Sequence, residues 1–107
     1  MRIVLDACVP AGFARFLVGH DVTTVRLLFG TSDIDDGPLL DQLAGRCDVF
    51  VTVDKRLPYQ QTVRGRSFPV ILLRAHSNSL EHLAPLVGPT LRAARQAQPG
   101  ELRIVGV

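Results

Sequence analysis

Two aspartates stand where an apolar run stops. Asp6 closes "MRIVLD" and Asp54 closes "DVFVTVD". In open parallel sheets, sites form at the carboxyl ends of strands, beside the point where strand order reverses. If the two runs are neighbouring strands, both carboxylates face one crevice. A third acid is available from "TSDIDDG", as Asp33, Asp35 or Asp36. Carboxylates that converge without a basic partner repel one another. A hard divalent cation such as Mg²⁺ or Mn²⁺ relieves that repulsion and prefers oxygen ligands. Held there, it polarises a phosphate and activates water, which is the chemistry of phosphodiester cleavage. The candidate catalytic and metal-binding residues are therefore Asp6 and Asp54, with Asp36, Asp35 or Asp33 as the third acid. Each acid also has a structural reading, because Asp caps turns and helix starts. Asp6 precedes "ACVP", Asp54 precedes "KRLPYQQ", and the "DIDD" acids precede a helical pattern.

Basic side chains gather after Asp54: Lys55, Arg56, Arg64, Arg66 and then Arg74. Lys55, Arg56 and Arg74 suit a phosphate-binding rim, and Tyr59 offers a ring for base stacking. Arg74 stands out because it directly follows an apolar run. Taken one at a time, such residues more often belong to a solvated loop. His20, His76 and His82 are scattered and form no ligand pair, which fits surface or structural roles.

Alternating elements must position these groups. Arg2–Leu5, Asp21–Val25, Asp48–Val53, Phe68–Leu73 and Glu101–Val107 read as strands. The strongest are continuous apolar runs, as expected of strands covered on both faces. Pro10 opens a predicted helix over Ala11–Val18, with Phe13, Phe16 and Leu17 at helical spacing. Leu39, Leu40 and Leu43 mark one face of a second helix over Pro38–Gly45. Arg26–Gly30 is ambiguous, and Leu57–Arg66 reads as a polar loop with at most a turn or two of helix. Asn78 followed by Glu81 resembles a capping box. Pro85 and Pro89 should break the helix after it into two pieces, the second starting at Gly88–Pro89. The pattern predicts an α/β domain: a three-layer α/β/α sandwich on a mostly parallel central sheet.

A length of 107 residues suits a single domain over 1–107 with one core. The chain is 47% hydrophobic without an apolar run long enough to cross a bilayer. No signal-peptide pattern opens it. Cys8 and Cys47 form neither a disulfide framework nor a metal-ligand spacing. They read as buried thiols in a reducing, cytoplasmic compartment. The formal net charge of +2 is too small to argue for nucleic acid by itself.

"MRIVLDACVP", "DVFVTVDKRLPYQQ" and "PVILLRAHSNSLEHLAPLV" together resemble the short bacterial PIN-like proteins of the PIN-domain nuclease superfamily. Nearly the whole chain takes part, and "VTVDKRLPYQQ" is the most specific block. The resemblance implies a PIN-like α/β/α sandwich and an acidic, Mg²⁺- or Mn²⁺-dependent pocket that hydrolyses RNA. It also implies a toxin role, with an antitoxin partner that blocks the pocket. Asp6 matches the acid ending the family's first strand. Thr52 and Asp54 match its "TxD" element, Thr52 as support. The chain departs from the pattern at three places. Ala7 follows the first acid where relatives often have Glu or Asn. Pro38 stands where an acid is common, leaving Asp36 or Asp35 to substitute. No acid follows Asp54 within "KRLPYQQ". Small PIN domains also pair, and the N-terminal half offers apolar surface for a homodimer.

The departures motivate a second reading, a PIN-like module that binds RNA or protein without cleaving. A third is a phospho-acceptor domain of the response-regulator type. That layout calls for paired acids after the first strand, and Ala7 follows Asp6. No Gly-rich phosphate loop is present either.

Overall fold

The computed structural model describes residues 1–106, apart from the Gln60 side chain. The chain runs β1 (Arg2–Leu5), a 3₁₀ turn (Ala11–Phe16), β2 (Asp21–Thr24), α1 (Val25–Phe29) and α2 (Asp36–Leu43). It continues through β3 (Val49–Thr52), α3 (Leu57–Gln60), β4 (Val70–Arg74) and α4 (Leu80–Leu83). A 3₁₀ turn (Ala84–Leu86), α5 (Val87–Gln96) and β5 (Leu102–Gly106) complete it. The five strands form one sheet in the order β2-β1-β3-β4-β5, and every pairing is parallel. This is a doubly wound order whose direction reverses between β1 and β3. Ile3 lies opposite both Val22 and Val49, which puts β1 inside the sheet.

Side-chain alternation sorts the core into two layers. Ile3, Leu5, Val49, Val51, Ile71 and Leu73 point to one face. There they meet Phe13 of the first 3₁₀ turn, Leu17 just after it, Leu83 of α4, and Ala93 and Ala94 of α5. Val4, Phe50 and Val70 point to the other face. There they meet Val25, Leu39, Leu40, Leu43 and Leu57 from α1, α2 and α3. Phe50 is fully buried at the centre of this second layer. The three-layer α/β/α sandwich read from the sequence is thus the observed architecture, with a sheet that is wholly parallel.

Several elements differ from the sequence reading. Ala11–Phe16 winds as 3₁₀ rather than α-helix. The segment is short, and Gly12 lies so close to Leu80 that a Cβ there would sit 2.8 Å from Leu80 Cδ2. The ambiguous stretch forms α1. The Thr24 hydroxyl caps it by accepting from Leu27 N–H at 3.2 Å, and Gly30 closes it in the left-handed region at φ 76°. Ser79, not Asn78, caps α4. The helical run breaks at Pro85 as expected, and α5 takes up again at Val87 with Pro89 in its first turn. The closing strand ends at Gly106, and Val107 lies outside the described residues. Among the described residues no helix is long and apolar enough to cross a membrane.

Candidate acidic site at the strand switch point

Asp6 and Asp54 emerge from the carboxyl ends of β1 and β3, the two strands that flank the reversal. The ladder continues into Asp6, whose N–H donates to the Val51 carbonyl at 2.8 Å. Thr52, fully buried at the last position of β3, ties the two acids together. Its hydroxyl donates to Asp6 Oδ2 at 2.7 Å. The same oxygen accepts from the Asp54 backbone N–H at 3.1 Å. One hydroxyl therefore fixes the side chain of one acid and the backbone of the other.

Both carboxylates also do local structural work. Asp6 Oδ1 accepts from Ala7 N–H at 2.8 Å. Asp54 Oδ1 accepts from Arg56 N–H at 3.0 Å and from Arg56 Nε at 3.4 Å. A carboxylate offers about four lone-pair sites, so these bonds leave acceptor capacity on both acids. Among the described residues Asp54 Oδ2 has no hydrogen-bond donor.

Asp36 brings the third acid. It lies in the first turn of α2, where the helix dipole favours an ionised carboxylate. Its pKa is nonetheless raised above the ordinary 3.8. Burial is the largest cause, followed by the fields of Asp6 and then Asp54, with Arg56 opposing. Desolvation and two neighbouring acids thus disfavour its charge, and the three carboxylates feel one another's fields. Gly37 helps to bring them there. A Cβ at that position would lie 3.2 Å from Gln61 Oε1, so the start of α2 packs against the segment that follows Asp54. Asp35 precedes the helix, is exposed, and contributes least to the field at Asp36. Asp33 is also exposed, with its N–H donating to the Thr31 hydroxyl.

Cys8 stands in the middle of this region. Its thiol donates to Asp6 Oδ2 at 3.5 Å and lies 3.6 Å from the Thr52 hydroxyl. Burial of the sulfur, and then the negative charge of Asp6, push the thiol pKa up, so it stays protonated at neutral pH. The residue as a whole is exposed, unlike the buried thiol read from the sequence, while Cys47 is buried as expected. A cavity opens on either side of Cys8. One, of about 370 Å³, is lined by Asp6, Pro10, Thr24, Arg26 and Ser32 among others. The other, of about 510 Å³, is lined by Asp54, Lys55, Arg56, His76 and Ser77 among others. His76 is braced edge-to-face on His82, with ring centroids 5.2 Å apart.

The structure therefore brings together Asp6, Thr52 and Asp54, with Lys55 and Arg56 beside them and Asp36 near enough for both acids to raise its pKa. Tyr59 and Arg74 lie apart from them. They line a separate groove on β4 and β5 that shares only Lys55 with the second cavity. Sequence reasoning missed Cys8 and His76. Cys8 is two residues beyond Asp6, and His76 is two beyond the end of β4, so both sit at carboxyl ends of strands. That position was the available signal.

The donor chemistry suits a hard divalent cation, since carboxylate oxygens predominate. The spacing is looser than a finished site. Among the described residues, no group of three or more His, Cys, Asp or Glu side chains is close enough to hold a metal ion as they stand. No protein-family model, curated protein or solved structure matches this chain.

Proposed function

We propose that this chain is a metal-dependent ribonuclease of the PIN-like type, acting as the toxin of a toxin–antitoxin pair. The observation that carries the proposal is the Thr52 bridge. It ties the side chain of Asp6 to the backbone of Asp54 at the switch point, with Asp36 near enough for both acids to raise its pKa. Asp6, Asp54 and Asp36 would hold Mg²⁺ or Mn²⁺, with Asp35 adjacent. A bound cation supplies charge to polarise a phosphate and lowers the pKa of water. The chain's own part is to orient the acids through Thr52 and to receive phosphate on Lys55 and Arg56. Arg74 and Tyr59 line a separate groove and are not needed for cleavage on this reading. An antitoxin would act by covering the pocket. Exposed Phe16, Val18 and Leu27 in the N-terminal half are where a homodimer would form.

The test is Mn²⁺ titration by calorimetry on the native protein, Asp6→Asn and Asp54→Asn, followed by an RNA cleavage assay. Saturable binding to the native protein, weakened more than about 100-fold in each variant, is expected, since losing a ligand should exceed the loss seen for outer-shell partners. Cleavage should disappear with it. A folded native protein that binds no Mn²⁺ would remove the proposal.

One observation favours a second reading, that of a PIN-like module that binds RNA or protein without cleaving. The acids do not close into a ligand cluster. On that reading Lys55 and Arg56 still contact phosphate, and oligonucleotide binding is indifferent to Mn²⁺ and to Asp54→Asn.

A further inference from the structure

The sheet is unevenly covered. On the face that packs against α2, β5 presents Leu102 and Ile104 beside Leu72 of β4. The nearest helix, α3, spans only Leu57–Gln60 and buries Leu57 further toward the core. Ile104 is left 53% exposed, and Tyr59 stands 92% exposed at the rim. Between them lies a groove of about 420 Å³ with an apolar floor of Pro58, Leu72, Leu102 and Ile104. A second hollow of about 450 Å³ adjoins it across Pro58 and Tyr59 and includes Arg64.

Charge decides what such a surface attracts. Lys55 and Arg74 line the groove and Arg64 lines the adjoining hollow, while among the described residues no carboxylate lines either. A second copy seated symmetrically here would set cations against cations. A partner with carboxylates would not, and it would gain steering as well as contact. The backbone favours an extended partner. β5 ends the sheet, so its outer edge pairs with no strand among the described residues. Unpaired strand edges accept added strands, and side chains at alternate positions then fill neighbouring pockets. The floor is aliphatic and narrow, which suits a Leu or Phe side chain.

We propose that this groove is a docking site for an extended segment of a partner protein. The segment places an aliphatic or aromatic side chain over Leu72, Leu102 and Ile104, and flanking carboxylates on Lys55 and Arg74. None of Asp6, Asp36 and Asp54 lines the groove, and Lys55 is its only residue shared with the cavity beside Asp54.

The probe is a fluorescein-labelled, end-capped peptide of sequence Glu-Asp-Leu-Phe-Glu-Asp, followed by anisotropy. The control peptide replaces its acids with Lys. The acidic peptide should bind the native protein saturably, and the control should not. Binding should weaken at least tenfold in Ile104→Asp and in Arg74→Glu, both exposed positions whose folding is checked by circular dichroism. Asp54→Asn should leave it unchanged, which separates failure of this site from failure of the acidic pocket. Equal binding of both peptides, or none, would overturn the proposal. A native dimer in sedimentation equilibrium that Ile104→Asp dissociates would overturn it in favour of a second copy. Tighter binding of an oligouridylate, lost in Tyr59→Ala, would overturn it in favour of RNA.

Discussion

The two ends of the sheet use the same charged residue types in opposite ways. At the amino end, Asp48 meets Arg2. The Arg2 backbone N–H donates to Asp48 Oδ2 at 2.6 Å, and the guanidinium reaches Oδ1 at 3.2 Å. The backbone N–H first, and the guanidinium second, hold the Asp48 carboxyl below its ordinary range. A second arm of the guanidinium donates to the Gly45 carbonyl at 2.9 Å. Each charge is answered, and the contact staples the start of β1 to the approach to β3. At the carboxyl end, burial first and then the fields of Asp6 and Asp54 move the Asp36 pKa up instead. Matched charge holds the fold there, and crowded charge marks a place that a cation would relieve. Perturbation by burial plus like charge is the pattern that functional sites tend to show.

The comparison can be broken most forcefully at Thr52. Thr52→Val keeps the shape and removes the hydroxyl that joins Asp6 to Asp54. Mn²⁺ affinity should fall about 10- to 100-fold, the usual effect of losing an outer-shell partner. Stability should fall by about 1–3 kcal/mol, because buried polar groups lose their partner. Calorimetry and urea melts read the two effects, and unchanged affinity would mean that the hydroxyl does not position the acids.

Asp36→Asn should have a smaller effect of the opposite sign on stability. A carboxyl whose pKa is raised in the folded state binds its proton more tightly there than in the unfolded chain. Its penalty is absent below the ordinary 3.8 and grows as pH rises through the raised value. The variant should therefore melt above the native protein at pH 7, and the gap should close near pH 3. A lower melting temperature at pH 7 would show that the crowding is not real.

Asp48→Asn should give the smallest change, since its pair with Arg2 is well exposed to solvent. The pKa of Asp48 is lowered, so its stabilisation is present above 3.8 and is lost as pH falls through the depressed value. The variant should melt slightly below the native protein at pH 7 and converge with it in acid. Opposite pH trends in the two variants would sharpen the contrast between the two ends.

Much of the layered architecture was legible because the apolar runs are uninterrupted. "FVTV" and "PVILL" have no polar face, so both sides had to be covered. Asp6 and Asp54 could be paired because each ends such a run. Local winding was harder to read. Six residues after Pro10 carry helical spacing whether they wind as α or 3₁₀, and the close approach of Gly12 to Leu80 is a tertiary fact. Asn78 and Ser79 are both good caps, and the choice depends on where α4 meets the sheet. Cys8 was hidden by its type, since a free cysteine is usually buried. The separation of Tyr59 and Arg74 from the acids could not be read at all. It follows from β5 lying at the edge and from α3 being too short to cover Ile104.

The Thr52–Asp6 hydrogen bond joins residues 46 apart in the chain. β1 is made well before β3, so for a time a nascent chain carries the first acid without the second. Synthesis at about 5–20 residues per second makes that interval a few seconds. No local fragment can assemble the pocket, because Asp6 and Asp54 meet only through the β1–β3 ladder. On the ribonuclease reading, the pocket is incomplete until β3 has paired with β1.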